Sequence, residues 1–459
     1  MAPKNSSRFQ DSDSEFGLAF SIKVFLISAG MLSLMFLGIR WLVGGRPLSL
    51  DQSQPPAQQS PTPTATLSQG ERILLTQSSI PLKERGVAAI AASNYEAAVS
   101  ALSAAHTRDP ADPETLIYLN NARINNRPGE QTAHEIAVIV PVALDPATAT
   151  SVLRGVAQAQ TQINQANGIQ GKPLRLILGD DQGKVEIARE IATQLSQSVN
   201  LMGVIGHDSV TTAKAAMEVY KDNQLSLIST STDIKPQPLV SPMVSDNSDV
   251  AKALADYMIK LNYRRVTLLY DGTHNNSNGF RASFETAYKG DTLEQINLAN
   301  VQKITAKSLN TDVLLLSPGK RSLKQATEPL LNNNSQIRIF GGQEMFDPEV
   351  LDQLGPLADT LILAVPDRLY QSAASPFSDR PLKLWRSLAD ITTTTSYNAA
   401  QSMIWGLKQI PNREGVNQAI ETIDNSTIRL LKVSVNNDAI AGYELFPIGI
   451  IKDNQLKSN

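Results

Sequence analysis

Eight short apolar runs recur between Glu135 and Pro366, and they constrain the fold more than any other feature. Four come first: EIAVIVPV (Glu135 to Val142), LRLILGD (Leu174 to Asp180), LMGVIGH (Leu201 to His207) and LSLISTS (Leu225 to Ser231). Four more follow: RVTLLYD (Arg265 to Asp271), VLLLSPG (Val313 to Gly319), IRIFGGQ (Ile337 to Gln343) and TLILAVP (Thr360 to Pro366). Continuous apolar runs of this length suit strands buried on both faces. Helical patterns lie between them, with one stripe at Val152, Val156, Ala159 and Ile163 and another at Ile187, Ile191 and Leu195. Alternation of strand and helix predicts right-handed crossovers and parallel sheets with helices on both faces. Roughly 325 residues exceed one core, so two lobes are expected.

The residues ahead of this region differ in kind. Gly17 to Gly45 is almost wholly apolar, broken by Lys23 and Arg40. With those two side chains snorkelling, it reads as a transmembrane helix. Arg40-Trp41 stands where a signal peptide would carry a small-residue cleavage site, so an uncleaved anchor is expected. Residues 1–16 would then be a short cytoplasmic N-terminus, and the rest of the chain would lie across the membrane from it. The charge bias for that orientation is slight. Residues 46–70, rich in Pro, Gln, Ser and Thr, read as a disordered linker.

Residues 71–130 are helical in pattern. Gly86, Tyr95, Ala98, Leu102, Ala105 and Pro110 fall where a tetratricopeptide repeat carries its small, aromatic and closing proline positions, and Leu116, Leu119 and Asn120 would begin a second copy. The segment resembles one and a half such repeats, with an ordinary helical hairpin as the alternative. Either is too short to stand alone, because about three repeats are needed. It must lean on the following domain or on another chain.

Composition excludes several functions. A net charge of −3 gives no basic footprint, so no nucleic-acid partner is expected. The absence of cysteine removes thiol nucleophiles, thiolate metal sites, disulfides and a lipid-bearing cysteine. His106, His134, His207 and His274 are scattered without metal-ligand spacing, no GxSxG elbow occurs, and GKRS (Gly319 to Ser322) lacks the upstream glycine of a phosphate loop. No enzymatic activity, cofactor or metal is expected.

Within the α/β region, Leu153 to Gly155, Ile163-Asn164, the Asn167-Gly168 turn, Gly171 and Asp180 to Gly183 occur in order. A Ser/Thr cluster follows Val204 to Gly206, and hydroxyls run from Ser229 to Thr232. An FGGQE turn (Phe340 to Glu344) and TTTTSYNAAQSMIWGL (Thr392 to Leu407), with Tyr397 and Ala399, come later. Together these resemble the type I periplasmic solute-binding proteins, specifically the leucine/isoleucine/valine-binding family, over about seventy per cent of the chain. The resemblance implies an α/β fold of two lobes with parallel sheets spanning residues 134–459. Lobe 1 would hold about 134–245 and 367–437, and lobe 2 about 246–366 and 438–459. Crossings are expected near Ser245 to Asn247, Ala364 to Asp367 and Asn437 to Ala441. Ligand would sit in the cleft at the carboxyl ends of the strands, where helix N-termini and free amides can hold an anion.

By the same resemblance the candidate ligand-binding residues are Asp145, His207, Ser209, Thr211, Ser231, Thr232, Asp233, Tyr270, Lys320, Gln343 and Glu344. The chain departs from the family here. Val210 and Asp233 stand at serine and threonine positions, GTHNNSNG replaces the covering aromatic after Asp271, Lys320 lies near an expected tyrosine, and Gln343 falls at an acidic position. An amino acid is possible but not indicated. Asp180 and Asp181 read as helix caps or as groups that stabilise the strand end, Ser209 and Thr211 as caps or anion contacts, and His207 as a structural group or a ligand contact. Trp385 and Trp405 read as core.

Two functions follow from the resemblance. The first is a membrane-anchored extracytoplasmic binding protein that closes on a small polar solute, an amino acid or a related compound, for an ABC transporter permease or a membrane sensor. The second is an envelope scaffold or activator that uses the same fold and its helical repeats to hold a protein partner, without small-molecule transport.

Overall fold

The computed structural model describes residues 65–457 apart from 128–131, 231–233, 274, 302–303, 305–310, 319–321, 332–336, 373–377, 425, 440–441 and 453–454. The proposed anchor and most of the linker fall outside the described residues, among which no helix is long and apolar enough to cross a membrane.

The first sheet contains β1 (Thr66–Ser68), β2 (His134–Val140), β3 (Leu174–Asp180), β4 (Leu201–Gly206), β5 (Ser226–Ser229) and β6 (Val240–Pro242), in the order β1-β3-β2-β4-β5-β6. All pairs are parallel except β1 with β3. Every residue of β2 is buried, as a central strand covered on both faces requires. Helices Pro146–Gln165, Val185–Ser196 and Val210–Asp222 supply the crossovers, and both stripes read from the sequence face the core. The chain leaves β2 for β3 on one side and later returns to β4 on the other. That reversal puts a topological switch point between β2 and β4.

The second sheet repeats the device. It contains β7 (Arg265–Tyr270), β8 (Thr292–Asn297), β9 (Val313–Ser317), β10 (Arg338–Gly341), β11 (Leu361–Pro366), β12 (Ile428–Val435), β13 (Tyr443–Lys452) and β14 (Gln455–Lys457). Their order is β14-β13-β12-β11-β10-β9-β7-β8, with a second switch point between β7 and β9. β12, β13 and β14 are antiparallel, a departure from the all-parallel expectation. β12 is covered by β11 only as far as Lys432 and is partly exposed beyond Val433, so only its inner half reads as a buried run.

Three crossings join the lobes. The first runs from Pro242 to Asn247 and the second leaves β11 at Asp367. The third falls earlier than expected: helix Arg413–Glu421 ends beside the first lobe, and Ile428 already pairs with Pro366 in the second sheet. The segment around Asn437 is instead the turn of the β12–β13 hairpin, with Asn436 N donating to Gly442 O. Helix Ile391–Gln409 returns to lobe 1 and lies along Pro146–Gln165. A Cβ on Gly155 would stand 2.1 Å from Ser396 Oγ and 2.2 Å from Thr393 O, so only glycine permits this approach. Trp385 is core, but Trp405 is 50% exposed, contrary to expectation.

The N-terminal residues belong to lobe 1. The end of the expected linker is β1, which caps the edge of β3. Helices Pro81–Ala91, Tyr95–Arg108 and Pro113–Asn125 follow, and Leu102, Leu116, Leu119 and Ala122 share one hydrophobic core with Ile136, Val138 and Leu153. Polar groups fix the register. Asn121 Nδ2 donates to Gln69 O and Leu176 O, while its Oδ1 accepts from Leu176 N and Gln160 Nε2. Lys83, fully buried, donates to Asp112 Oδ2 at 2.8 Å and lies 2.6 Å from Glu114 Oε2. The helical segment therefore leans on the following domain.

Candidate functional site

The carboxyl ends of the parallel strands carry the candidate residues, and the loops leaving β2 and β4 form the first rim. Asp145 caps helix Pro146–Gln165, its carboxylate accepting from Thr148 N at 3.1 Å and Thr148 Oγ1 at 2.8 Å. Exposed Leu144 stands beside it. Ser209 caps helix Val210–Asp222 by accepting from Thr212 N at 3.1 Å, and its Oγ lies 3.1 Å from Thr211 Oγ1. Thr211 is exposed at the first turn, where unpaired amides and the helix dipole favour an anion.

His207 does not reach the cleft. Its ring is wholly buried, with Nδ1 2.9 Å from Asp181 Oδ2 and Nε2 3.1 Å from the Tyr220 hydroxyl. Its backbone is left-handed, φ 47°, a conformation that costs about 1–3 kcal/mol outside glycine and is held here by the bonds at both ring nitrogens. Asp181, also buried, spends its other oxygen on Gly183 N, so it braces the strand end as the sequence suggested. Burial, with Asp181 adding to it, raises the Tyr220 phenol well above its ordinary value.

Asp208 takes the position sequence reasoning gave to His207. Thr230 Oγ1 donates to its Oδ1 at 3.3 Å. Burial raises its carboxyl above the usual value near 3.8, and the charges of Asp145 and Asp181 push the same way. The only signal in the sequence was its place between a strand-end histidine and a capping serine. Ser231, Thr232 and Asp233 lie outside the described residues, as does Lys320.

The second rim is built by the loops leaving β7, β9 and β10. Tyr270 ends β7 with the Arg281 guanidinium 5.6 Å from its ring centre. Asp271 braces its own loop by accepting from Thr273 N and ties it to the loop after β9 by accepting from Ser322 Oγ at 2.7 Å. Gln343, 4% exposed, donates from Nε2 to Ser245 O at 3.2 Å, which links lobe 2 to the first crossing. Its Oε1 is buried without a hydrogen-bond partner among the described residues. Burial raises the Glu344 carboxyl from its ordinary value, and the Ser317 hydroxyl partly offsets this. Across the described parts of both rims acceptors predominate: Asp145, Asp208, Gln343 Oε1 and Glu344. No three His, Asp or Glu among the described residues are placed to hold a metal.

Two α/β lobes, joined by crossings and each presenting a switch point, define a two-lobed ligand-binding fold. The periplasmic binding protein family model matches residues 135–422, and the chain belongs to that family. A Pseudomonas aeruginosa protein described as an amino acid binding protein is 22% identical over 195 residues, 41% of this chain and 48% of its own. The chain therefore spans about half the length of that relative. A substrate-binding protein of a branched-chain amino acid transporter from Streptococcus pneumoniae, solved with isoleucine, superposes with a TM-score of 0.52 at 19% identity, over 69% of this chain and 99% of that one. An ABC transporter substrate-binding protein from Sphaerobacter thermophilus gives 0.55 at 17%, over 70% and 98%. A fatty acid ABC transporter substrate-binding protein from Thermomonospora curvata gives 0.52 at 13%, over 72% and 94%. At these identities the likeness is one of fold.

Proposed function

We propose that the chain is an extracytoplasmic solute-binding protein that closes its two lobes on a small polar ligand of the amino acid class, for an ABC importer or a membrane sensor. The observation that carries this reading is the family match, which spans the strand-end loops of both lobes. The acceptor-rich rims favour a ligand with an ammonium or amide donor, held between Asp208 and Asp145 on one side and Gln343 and Glu344 on the other. Ser209 and Thr211, at their helix N-terminus, suit its anionic end. The role is binding rather than catalysis. Gly17 to Gly45 is proposed as a single-pass inner-membrane anchor that keeps the bulk of the chain on the periplasmic side, and residues 71–130 as a tetratricopeptide-like segment.

The test is calorimetry and thermal shift of the full chain against amino acids, amides, urea and small anions. Ligand at 100 times its Kd should stabilise the fold by about 2.7 kcal/mol. A hit weakened tenfold or more by Asp208→Asn or Thr211→Ala supports the reading. A folded protein that binds none of the panel favours the second reading, a scaffold for a protein partner. That reading draws on the helical segment fused to lobe 1 and on the altered pocket positions.

A further inference from the structure

A cavity of about 880 Å³ lies beside the second and third crossings, away from the strand-end cleft. One wall is lobe 1, from helix Ile391–Gln409, and the other is lobe 2, from the end of β13. Three features of its lining are otherwise unexplained. Trp405 presents a half-exposed indole into it, on a helix whose Met403, Ile404 and Leu407 are all buried. Ile423 and Ile450 extend the apolar surface on the two sides. Arg368 lines it without a carboxylate partner among the described residues: its Nη2 donates to Asn398 O and Ser402 Oγ, both neutral.

The nearby acids are committed elsewhere. Asp367 accepts from Arg429 and Gln371. Asp424 accepts from Ser426 and Thr427 and lies 3.9 Å from Lys452. Arg368 thus bears the cost of burial, which holds its guanidinium below its ordinary value, with no carboxylate paired to it among the described residues. A guanidinium matches a carboxylate in a two-point fork, and an indole face takes an apolar body.

We propose that this cavity is a second binding site, for a small amphipathic carboxylate whose anionic end pairs with Arg368 and whose apolar part lies on Trp405. It is separate from the cleft, whichever solute the cleft holds. Fluorine NMR of 4-fluorophenylacetate with the full chain tests it, with 4-fluorophenethylamine as the cation control. The expected result is saturable binding of the carboxylate alone. Both Arg368→Gln and Trp405→Ala should weaken it at least tenfold, while Asp208→Asn in the cleft leaves it unchanged. Because Trp405 is half exposed, Trp405→Ala gives a readout even if Arg368→Gln fails to fold. No saturable binding by the folded wild type overturns the proposal, as does binding unaltered in Trp405→Ala. Binding lost in Asp208→Asn but kept in Trp405→Ala overturns it too, by placing the probe in the cleft, and leaves the cleft reading intact.

Discussion

Replacing Glu114 by alanine removes one buried carboxylate that receives four donors. These are the Leu74 amide at 2.6 Å, the Leu75 amide at 3.1 Å, the Tyr118 hydroxyl at 2.9 Å and the Lys83 ammonium at 2.6 Å. Each buried amide left unpaired costs about 1–3 kcal/mol. Breaking a buried ion pair costs about 3–5 kcal/mol, and the low end applies because Asp112 still holds Lys83. These contributions overlap, so a loss of about 5 kcal/mol is expected. Since about 1.4 kcal/mol is a factor of ten, amide exchange at Leu74 and Leu75 should quicken by about three and a half orders of magnitude. Hydrogen exchange read by mass spectrometry checks this, with urea unfolding alongside. Glu114→Gln, which keeps an acceptor and drops the charge, should fall between the two. Lys252→Ala, which breaks an exposed pair with Asp256, should cost about 0.5 kcal/mol or less. A loss below about 1.5 kcal/mol in Glu114→Ala, with exchange in residues 72–108 unaltered, would refute the claim that this carboxylate ties Leu74, Leu75 and Lys83 to helix Pro113–Asn125.

Three further outcomes are expected. His207→Phe strands the Asp181 carboxylate and should cost about 2–3 kcal/mol in urea unfolding, with little change in affinity for a cleft ligand; a tenfold affinity loss at unchanged stability would instead make the ring a contact. Gly155→Ala drives a Cβ into Thr393 O and Tyr397 N, backbone atoms of the neighbouring helix, and should cost about 3 kcal/mol, whereas Gly171→Ala, at φ 82° in open space, should cost about 1 kcal/mol; reversed melting temperatures would contradict this. Asp208 has a folded-state pKa above 3.8, so the native state keeps a proton that the unfolded chain releases. Its contribution to stability is therefore present below 3.8 and lost as pH rises through the folded value. Asp208→Asn should flatten that part of the pH profile and raise stability at neutral pH, and an unchanged profile would rule the burial argument out.

Eight of the ten parallel strands among the described residues were legible because burial on both faces leaves an uninterrupted apolar run, as in Ile136 to Val140 and Val313 to Leu316. β6, three residues long, and β8, an edge strand with no buried residue, leave no such run. β12 and β13 were not, since one face of each is partly exposed and their alternation is broken by the bulge at Leu430/Leu431. That is why the third crossing was placed too late. β1 is three residues long and borrows its stability from β3, which local pattern cannot show. The docking of helix Pro113–Asn125 rests on Asn121 and Gln160, polar residues that pattern reading assigns to a surface. His207 looked available because its partners, Asp181 and Tyr220, come from separate segments. Asp208 gained interest only once the fold set Thr230 and Asp145 near it.

The strand order predicts that the two sites we propose stand on opposite sides of the crossings. The cleft uses the β7/β9 switch point, while the cavity uses β13, beyond β11 and β12 where the second and third crossings enter the sheet. From β9 to β12 is three strand spacings, about 14 Å. Rotation about the crossings that narrows one side widens the other. A carboxylate bridging Trp405 on lobe 1 and Ile450 on lobe 2 therefore opposes closure on a cleft ligand, and the coupling has a negative sign. Linkage makes it reciprocal: saturating the cleft should weaken 4-fluorophenylacetate by the same factor that the carboxylate weakens the cleft ligand. Couplings of this kind run at about 1–3 kcal/mol, or roughly 5- to 150-fold. Titrating each ligand in the presence and absence of the other measures both factors. Equal affinities in all four titrations would mean that the cavity walls do not move with the hinge. Mutual strengthening would mean that both sites close together, and the crossings would then lie behind the cavity rather than between it and the cleft.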